Sequence, residues 1–174
     1  MSTPLFQEIH IENTNSCGYK CVMCPRESQT RQIGFMSLKD FSLVLERVGQ
    51  FHGTFHLHGF GEPLLDRLLV PKLRELKKKC PSSFGLIFST LGVRVAEDYF
   101  VKLLEAGLTG MVISLYGFTL EDYKKIHGYN GFELVKRNLQ LLSNAMKLFP
   151  KFTATLKIPS PILSSSLPIA EPPE

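Results

Sequence analysis

The sequence lacks the features of membrane, secreted and disordered proteins. None of its apolar runs approaches the roughly 18–20 residues that a membrane-spanning helix needs, so no membrane span is expected. The segment MSTPLFQEIH has no basic patch followed by an apolar stretch, so we expect no secretory signal and a cytoplasmic location. Hydrophobic residues make up 44% of the chain and charged residues 21%, a globular composition that argues against disorder.

The cysteine content and the net charge are also low. Four cysteines without a secretory signal do not indicate a disulfide scaffold, because clustered cysteines in a reducing compartment more often bind metal or carry out redox chemistry. Lysine plus arginine is 20 and aspartate plus glutamate is 16, which gives a net charge of +4. That excess is too small to predict a nucleic-acid partner. The length of 174 residues fits one domain.

Strand and helix patterns alternate along the chain. The sequence predicts strands at 6–12, 55–58, 84–89, 111–115 and 152–158, and helices at 37–48, 70–79, 96–106 and 132–148. Strands that alternate with helices are typical of α/β proteins with a parallel sheet, here a partial (β/α) barrel. We expect this core to occupy residues 1–158 and a flexible tail rich in proline and serine to occupy residues 159–174.

Three of the cysteines, Cys17, Cys21 and Cys24, follow the first predicted strand with the spacing C-x3-C-x2-C. Thiolates are soft ligands that suit iron–sulfur clusters, zinc or copper(I). Three cysteines are one fewer than usually hold a [4Fe–4S] cluster, so one iron would keep an open position, where chemistry takes place. In α/β sheets and barrels, ligands bind at the carboxyl ends of the strands, where this loop lies. A zinc site or unrelated buried cysteines are the alternatives.

The segment IENTNSCGYKCVMCPR resembles the IEPTNxCNxxCxxCPR pattern of radical SAM enzymes, in the branch that often carries a C-terminal SPASM or twitch domain. The resemblance implies that Cys17, Cys21 and Cys24 hold a [4Fe–4S] cluster and that S-adenosylmethionine (SAM) binds its fourth iron. It further implies reductive cleavage of SAM to a 5′-deoxyadenosyl radical, which abstracts a hydrogen atom from substrate. Met23 would then contact the adenine of SAM.

Three more motifs at predicted strand ends are similar to motifs of the same family. The sequence GFGEP resembles the family's GxGEP or GGEP motif and would assign Gly61 and Glu62 to the SAM amino group. Ser89 begins STLG, where family members often read TNG, and would face SAM. Ser114 begins SLYG, which resembles SLDG or SLYG, and would lie near the ribose or carboxylate of SAM. A plain turn and structural polar strand ends are the alternatives.

Two sets of polar residues alternate along the first two predicted strands. Glu8, His10 and Glu12 share one face of the first strand, and His56 and His58 share one face of the second. If these faces point inward, they line a polar cavity of the kind that an active site inside an open barrel requires. If they point outward, they are ordinary surface or structural residues.

Two arginines and one asparagine are predicted to have structural roles. Arg26 and Arg31 lie in the segment between Cys24 and Ser37, and we interpret them as bracing that loop rather than binding an anion. Asn138 lies in the last predicted helix and is interpreted as a structural hydrogen-bonding residue.

The resemblance predicts a radical SAM enzyme that acts on a small-molecule or peptide substrate, with its catalytic residues unassigned. An electron donor such as flavodoxin or ferredoxin would supply the electron. Family cores usually have six βα units, whereas this sequence has four and a fifth strand, so we expect a chain truncated at its C-terminus. The open sheet edge would then be covered by a partner or a second copy. The alternatives are a module that binds cluster and SAM with little or no turnover, and a structural zinc protein.

Overall fold

The fold is a five-stranded parallel sheet with helices packed on one face. The computed structural model describes residues 6–157, and the predicted tail at 159–174 lies outside the described residues. The strands are β1 (Glu8–His10), β2 (Thr54–His56), β3 (Phe84–Ser89), β4 (Gly110–Ser114) and β5 (Thr153–Lys157). Their order in the sheet is their order in the chain, and every neighbouring pair is parallel. This arrangement confirms the predicted α/β class.

Five α-helices connect the strands. They are α1 (Leu38–Val48), α2 (Leu69–Lys79), α3 (Tyr99–Glu105), α4 (Leu120–His127) and α5 (Phe132–Met146). Four of them lie where the sequence predicts a helix, although α3 begins at Tyr99 rather than at position 96. Within residues 6–157, no helix combines the length and the apolar character that crossing a bilayer requires.

Helix α4 is not predicted from the sequence because its apolar pattern is too weak. Only Tyr123 and His127 are buried in this eight-residue helix, so the sequence shows no continuous apolar stripe. Its ends nevertheless carry standard signals. The Thr119 side chain accepts a hydrogen bond from the Asp122 backbone N–H, and Gly128 ends the helix in a left-handed conformation with φ of 64°. Capping residues therefore define a helix that periodicity does not reveal.

The start of α1 is confirmed by its cap. The Ser37 hydroxyl accepts a hydrogen bond of 3.0 Å from the Asp40 backbone N–H, as the sequence predicts. Phe41 and Leu45 lie one turn apart on this helix and are both buried in the core. A cap of this kind stabilises a helix by about 1 kcal/mol, and the buried pair fixes which face of α1 meets the sheet.

The two faces of the sheet differ in polarity. Phe55, Ile87 and Met111 are buried in one hydrophobic core together with residues of the helices. Because successive side chains of a strand point to opposite faces, their neighbours His56 and Phe88 lie on the other face. The helices therefore cover one face, and the opposite face presents polar and aromatic side chains.

A buried ion pair attaches the loop after β1 to α2. The Lys72 ammonium lies 2.7 Å from Oδ2 of Asp66, and both side chains are almost fully buried. Asn13, in the loop after β1, donates a 3.0 Å hydrogen bond to the same Asp66 oxygen, and the Leu68 backbone N–H donates to the other oxygen. Because a buried charge must be paired and hydrogen-bonded, this network holds the two segments together.

Candidate functional site

The loops that follow β1 and β2 contact each other closely at the carboxyl ends of the strands. The Glu62 backbone N–H donates a 2.9 Å hydrogen bond to the Ser16 carbonyl. A Cβ atom at Gly61 would lie 2.3 Å from the Thr14 carbonyl oxygen and 2.8 Å from the Ser16 carbonyl oxygen. Any side chain at position 61 would therefore separate the two loops, which gives a physical reason for glycine here.

The cysteine loop is docked on the end of α4. Cys17, Cys21 and Cys24 are free and half-buried. The backbone N–H of Lys20 donates to the His127 carbonyl at 3.2 Å, and that of Val22 donates to the Ile126 carbonyl at 3.0 Å. These contacts fix the backbone on both sides of Cys21, so the unpredicted helix positions the predicted cluster ligands.

His127 contacts Cys21 directly and donates a hydrogen bond to its sulfur. Burial lowers the pKa of His127 to about 4, so the imidazole is neutral near pH 7. The Tyr116 backbone N–H donates to Nε2 at 3.3 Å, which leaves the ring proton on Nδ1. Nδ1 lies 3.3 Å from Cys21 Sγ. In the sequence, the only indication of this contact is a histidine directly before the glycine that ends α4.

Burial disfavours the thiolate forms of two of the three cysteines. Burial raises the pKa of the Cys21 thiol to about 12, and the neighbouring Cys17 and Cys24 shift it in the same direction. Burial also raises the pKa of Cys17. Metal ligation requires thiolates, so binding here would release protons.

The sulfur atoms of the three cysteines do not form a compact trio among the described residues. Among residues 6–157, the only trio of potential ligand atoms within 4.8 Å of one another belongs to three histidines, not to the cysteines. A tetrahedral zinc ion with zinc–sulfur bonds of about 2.3 Å would hold its sulfurs about 3.8 Å apart. One zinc ion held by all three cysteines would therefore require their sulfurs to move closer together.

Glu62 is buried, and it joins the loops after β2 and β3. Its Oε1 accepts hydrogen bonds from the Ser89 hydroxyl at 2.8 Å and from the Leu64 backbone N–H at 3.2 Å. Its Oε2 accepts from the backbone N–H and the hydroxyl of Thr90, both at 2.8 Å. Burial raises the pKa of Glu62, whereas these four donors favour the ionised form.

The hydroxyl groups of Ser89 and Thr90 are oriented toward Glu62. The Leu91 backbone N–H donates to the Ser89 hydroxyl oxygen at 2.9 Å, and the Gly92 backbone N–H donates to the Thr90 hydroxyl oxygen at 3.3 Å. Each hydroxyl proton is therefore free to bond the Glu62 carboxylate. Since a carboxylate offers about four acceptor positions, Glu62 can accept from another ligand only if one of these donors turns away.

Within residues 6–157, Met23 and Ser114 make no side-chain hydrogen bond with the loops described above. Met23 lies in the cysteine loop and is 50% exposed. Ser114 ends β4, half-buried, on the sheet face opposite Ile113 and the helices. Their contacts with SAM stay predictions.

The sheet face opposite the helices carries a cluster of histidines below the cysteine loop. His10 and His56 are cross-strand partners whose rings are stacked with centroids 4.3 Å apart. The His58 ring packs edge-on to both, and Glu8 lies beside them. Burial lowers the pKa of His58 to about 4 and lowers that of His56. The predicted alternation is confirmed, and the shared face is the one opposite the helices.

The predicted supporting residues make structural contacts. Arg26 donates to the Tyr19 carbonyl at 3.0 Å, and Arg31 pairs with Glu12, which also accepts from the Phe60 backbone N–H at 2.9 Å. Both arginines therefore brace the loops at this end of the sheet. The Asn138 amide donates at 2.7 Å to the carbonyls of residues 91 and 93 and fixes the loop after β3.

Comparison with protein families matches residues 11–156 to the Radical SAM superfamily. A probable GTP 3′,8-cyclase of Saccharolobus islandicus is 30% identical over 130 residues, which cover 74% of this chain and 41% of that protein. The mycofactocin maturase MftC of Mycobacterium tuberculosis is 29% identical over 135 residues, which cover 77% of this chain and 34% of that protein. The chain thus spans between one third and two fifths of the length of these curated relatives.

Solved structures share the fold at low sequence identity. BtrN in complex with AdoMet and 2-DOIA superposes with a TM-score of 0.65 at 21% identity, covering 89% of this chain and 58% of that one. Native anSMEcpe with bound AdoMet and Cp18Cys peptide gives a TM-score of 0.65 at 21% identity, covering 87% of this chain and 42% of that one. These similarities confirm the partial-barrel architecture.

Proposed function

This chain belongs to the radical SAM superfamily, and from that premise we propose that it binds a [4Fe–4S] cluster through Cys17, Cys21 and Cys24. The family uses such a cluster together with SAM. The cluster, when bound and reduced, supplies the electron that cleaves SAM to a 5′-deoxyadenosyl radical. The other product of that cleavage would be methionine, and a small molecule or a peptide would donate a hydrogen atom to the radical.

The number of cysteines that meet at the carboxyl ends of the strands carries this proposal. Three half-buried thiols lie in one loop there. Cys80, the fourth, ends α2 and lies with Sγ 3.6 Å from the Gly49 carbonyl, at the amino ends of the strands. Three protein thiolates on a four-iron cluster leave one iron free to bind a ligand other than cysteine. SAM is the ligand that membership of the family supplies.

The neighbouring loops are proposed to hold SAM beside that iron. Gly61 brings the loop after β2 against the cysteine loop, and Glu62 links it to Ser89. We assign the SAM amino group to the Glu62 carboxylate, which attracts an ammonium ion. Met23 offers an exposed apolar side chain to the adenine, and Ser114 offers a hydroxyl at the end of β4.

The full chain, reconstituted with iron and sulfide without oxygen, should release 5′-deoxyadenosine from SAM when dithionite is added. The measurement is chromatography of the products, with iron and sulfide counted per chain. Cluster and SAM binding without 5′-deoxyadenosine would instead indicate a binding module. Zinc at the cysteines, with no iron retained, would contradict the proposal. Flavodoxin or ferredoxin in place of dithionite tests the expected electron donor.

We expect replacement of His127 by phenylalanine to lower the reduction potential of the cluster. The N–H···S bond to Cys21 stabilises the more negative, reduced cluster, so losing it should shift the potential by roughly 40–80 mV. Potentiometric titration followed by electron paramagnetic resonance measures the shift. His127→Gln can keep a donor toward sulfur and should recover most of it. Equal potentials in all three proteins would show that His127 has a packing role only.

A further inference from the structure

Three histidines on the sheet face opposite the helices form a cluster that the proposed function does not use. His10 ends β1, His56 ends β2, and His58 follows two residues later. One ring nitrogen from each lies within 4.8 Å of the other two. In the part of the chain that the structure describes, no other set of three ligand atoms from histidine, cysteine, aspartate or glutamate meets this distance.

Two of the three histidines carry buried ring nitrogens without hydrogen-bond partners among the described residues. His56 is 8% exposed, and neither of its ring nitrogens has a partner among the described residues. Nδ1 of His58 is likewise buried and unpaired there. Buried polar atoms are nearly always hydrogen-bonded, so unpaired nitrogens on two adjacent imidazoles, those of His56 and His58, indicate rings arranged for a ligand.

The carboxylate of Glu8 lies beside two of these histidines. Its Oε2 lies 3.4 Å from Nε2 of His56 and 3.7 Å from Nε2 of His10. The ring of Phe88 packs against His58 with centroids 4.1 Å apart and forms an apolar wall on that side. The Glu8 carboxylate therefore lies within reach of two of the three imidazoles, those of His10 and His56.

We propose that His10, His56 and His58, with Glu8 as the fourth ligand, bind one Zn²⁺ ion. Imidazole and carboxylate are ligands that zinc accepts in tetrahedral sites, with bonds of about 2.0–2.2 Å and ligand atoms about 3.4 Å apart. His10 and Glu8 have side chains that are 57% and 61% exposed, so they can rotate inward to close the site around His56. None of the proposed ligands is a cysteine, so zinc binding here can be measured separately from cluster binding.

The test is a Zn²⁺ titration of the full chain against a chromophoric zinc indicator. The protein carries its reconstituted cluster, so that the cysteines are occupied. A second protein, Cys17→Ser with Cys21→Ser and Cys24→Ser, removes those thiols altogether. We expect one Zn²⁺ per chain in both proteins. Zinc X-ray absorption should show nitrogen and oxygen neighbours at about 2.0–2.2 Å and no sulfur at about 2.3 Å.

Single substitutions assign the ligands. His10→Ala alters an exposed side chain, and His58→Phe keeps the ring volume beside Phe88. Each should weaken Zn²⁺ binding at least about 100-fold, because even outer-shell changes cost up to that much. His52→Ala is the matched control, since His52 is exposed and outside the cluster. Melting temperatures of all variants show whether each one is folded.

Two outcomes would overturn the proposal. The first is zinc that binds the cluster-free wild-type chain but not the triple serine variant, which would place it at the cysteines only. The second is unchanged Zn²⁺ affinity in folded His10→Ala and His58→Phe. Loss of 5′-deoxyadenosine formation is a separate result, because the triple serine variant cannot hold the cluster yet should keep its zinc.

Discussion

Replacing Cys21 with alanine should abolish stable binding of the iron–sulfur cluster. The variant would leave only Cys17 and Cys24 as thiolate ligands in this loop, and two thiolates rarely hold a four-iron cluster. Iron and sulfide should fall from about four of each per chain to background after anaerobic reconstitution and desalting. The brown absorbance of the cluster and 5′-deoxyadenosine formation should be lost with them.

Cys80→Ala is the matched control for that experiment. Cys80 is buried at the end of α2, so its replacement also removes one buried thiol from the chain. Because it lies at the opposite ends of the strands, iron and sulfide content should stay at the wild-type level. If the Cys21→Ala protein kept a full cluster while Cys80→Ala lost it, the assignment of the ligands would be wrong.

Much of the fold could be predicted because its signals are local. Ser37 caps α1, and period-two alternation on β1 and β2 places the histidines on one face, as the structure confirms. These patterns act over a few residues, so the sequence displays them directly. The strand order follows from the regular alternation of strands and helices.

The contacts that complete the site could not be predicted because they join distant segments. His127 and Cys21 are 106 residues apart in sequence, and α4, which brings them together, lacks an apolar stripe. Leu91 is a second example. Leucine rarely adopts the left-handed conformation, yet Leu91 has φ of 57° and is fully buried. Its carbonyl is held by Asn138, from another part of the chain.

Glu62 illustrates how a sequence motif and a structure can assign different tasks to one side chain. The motif assigns Glu62 to the amino group of SAM, whereas its carboxylate accepts four hydrogen bonds from the chain itself. Both tasks are compatible if one of the hydroxyl donors, Ser89 or Thr90, turns toward another acceptor when SAM binds. Substitutions that remove the charge and the acceptors separately distinguish the two tasks.

Glu62→Ala should weaken SAM binding and also destabilise the fold. Two buried backbone N–H groups, of Leu64 and Thr90, would lose their acceptor, which should lower the free energy of unfolding by about 2–4 kcal/mol. The cysteine ligands stay in place, so iron content should remain at the wild-type level. Equilibrium dialysis of radiolabelled SAM and thermal denaturation measure the two effects.

Glu62→Gln separates charge from structure, because glutamine keeps the volume and a carbonyl acceptor but has no negative charge. If the carboxylate pairs with the SAM ammonium, SAM affinity should fall at least about tenfold, whereas stability should fall less than in Glu62→Ala because only one of the two backbone N–H groups loses its acceptor. If Glu62 only braces the loops, affinity and stability should change together. Glu133→Gln is the control, since Glu133 is 78% exposed on α5. Wild-type SAM affinity in Glu62→Ala would contradict both roles.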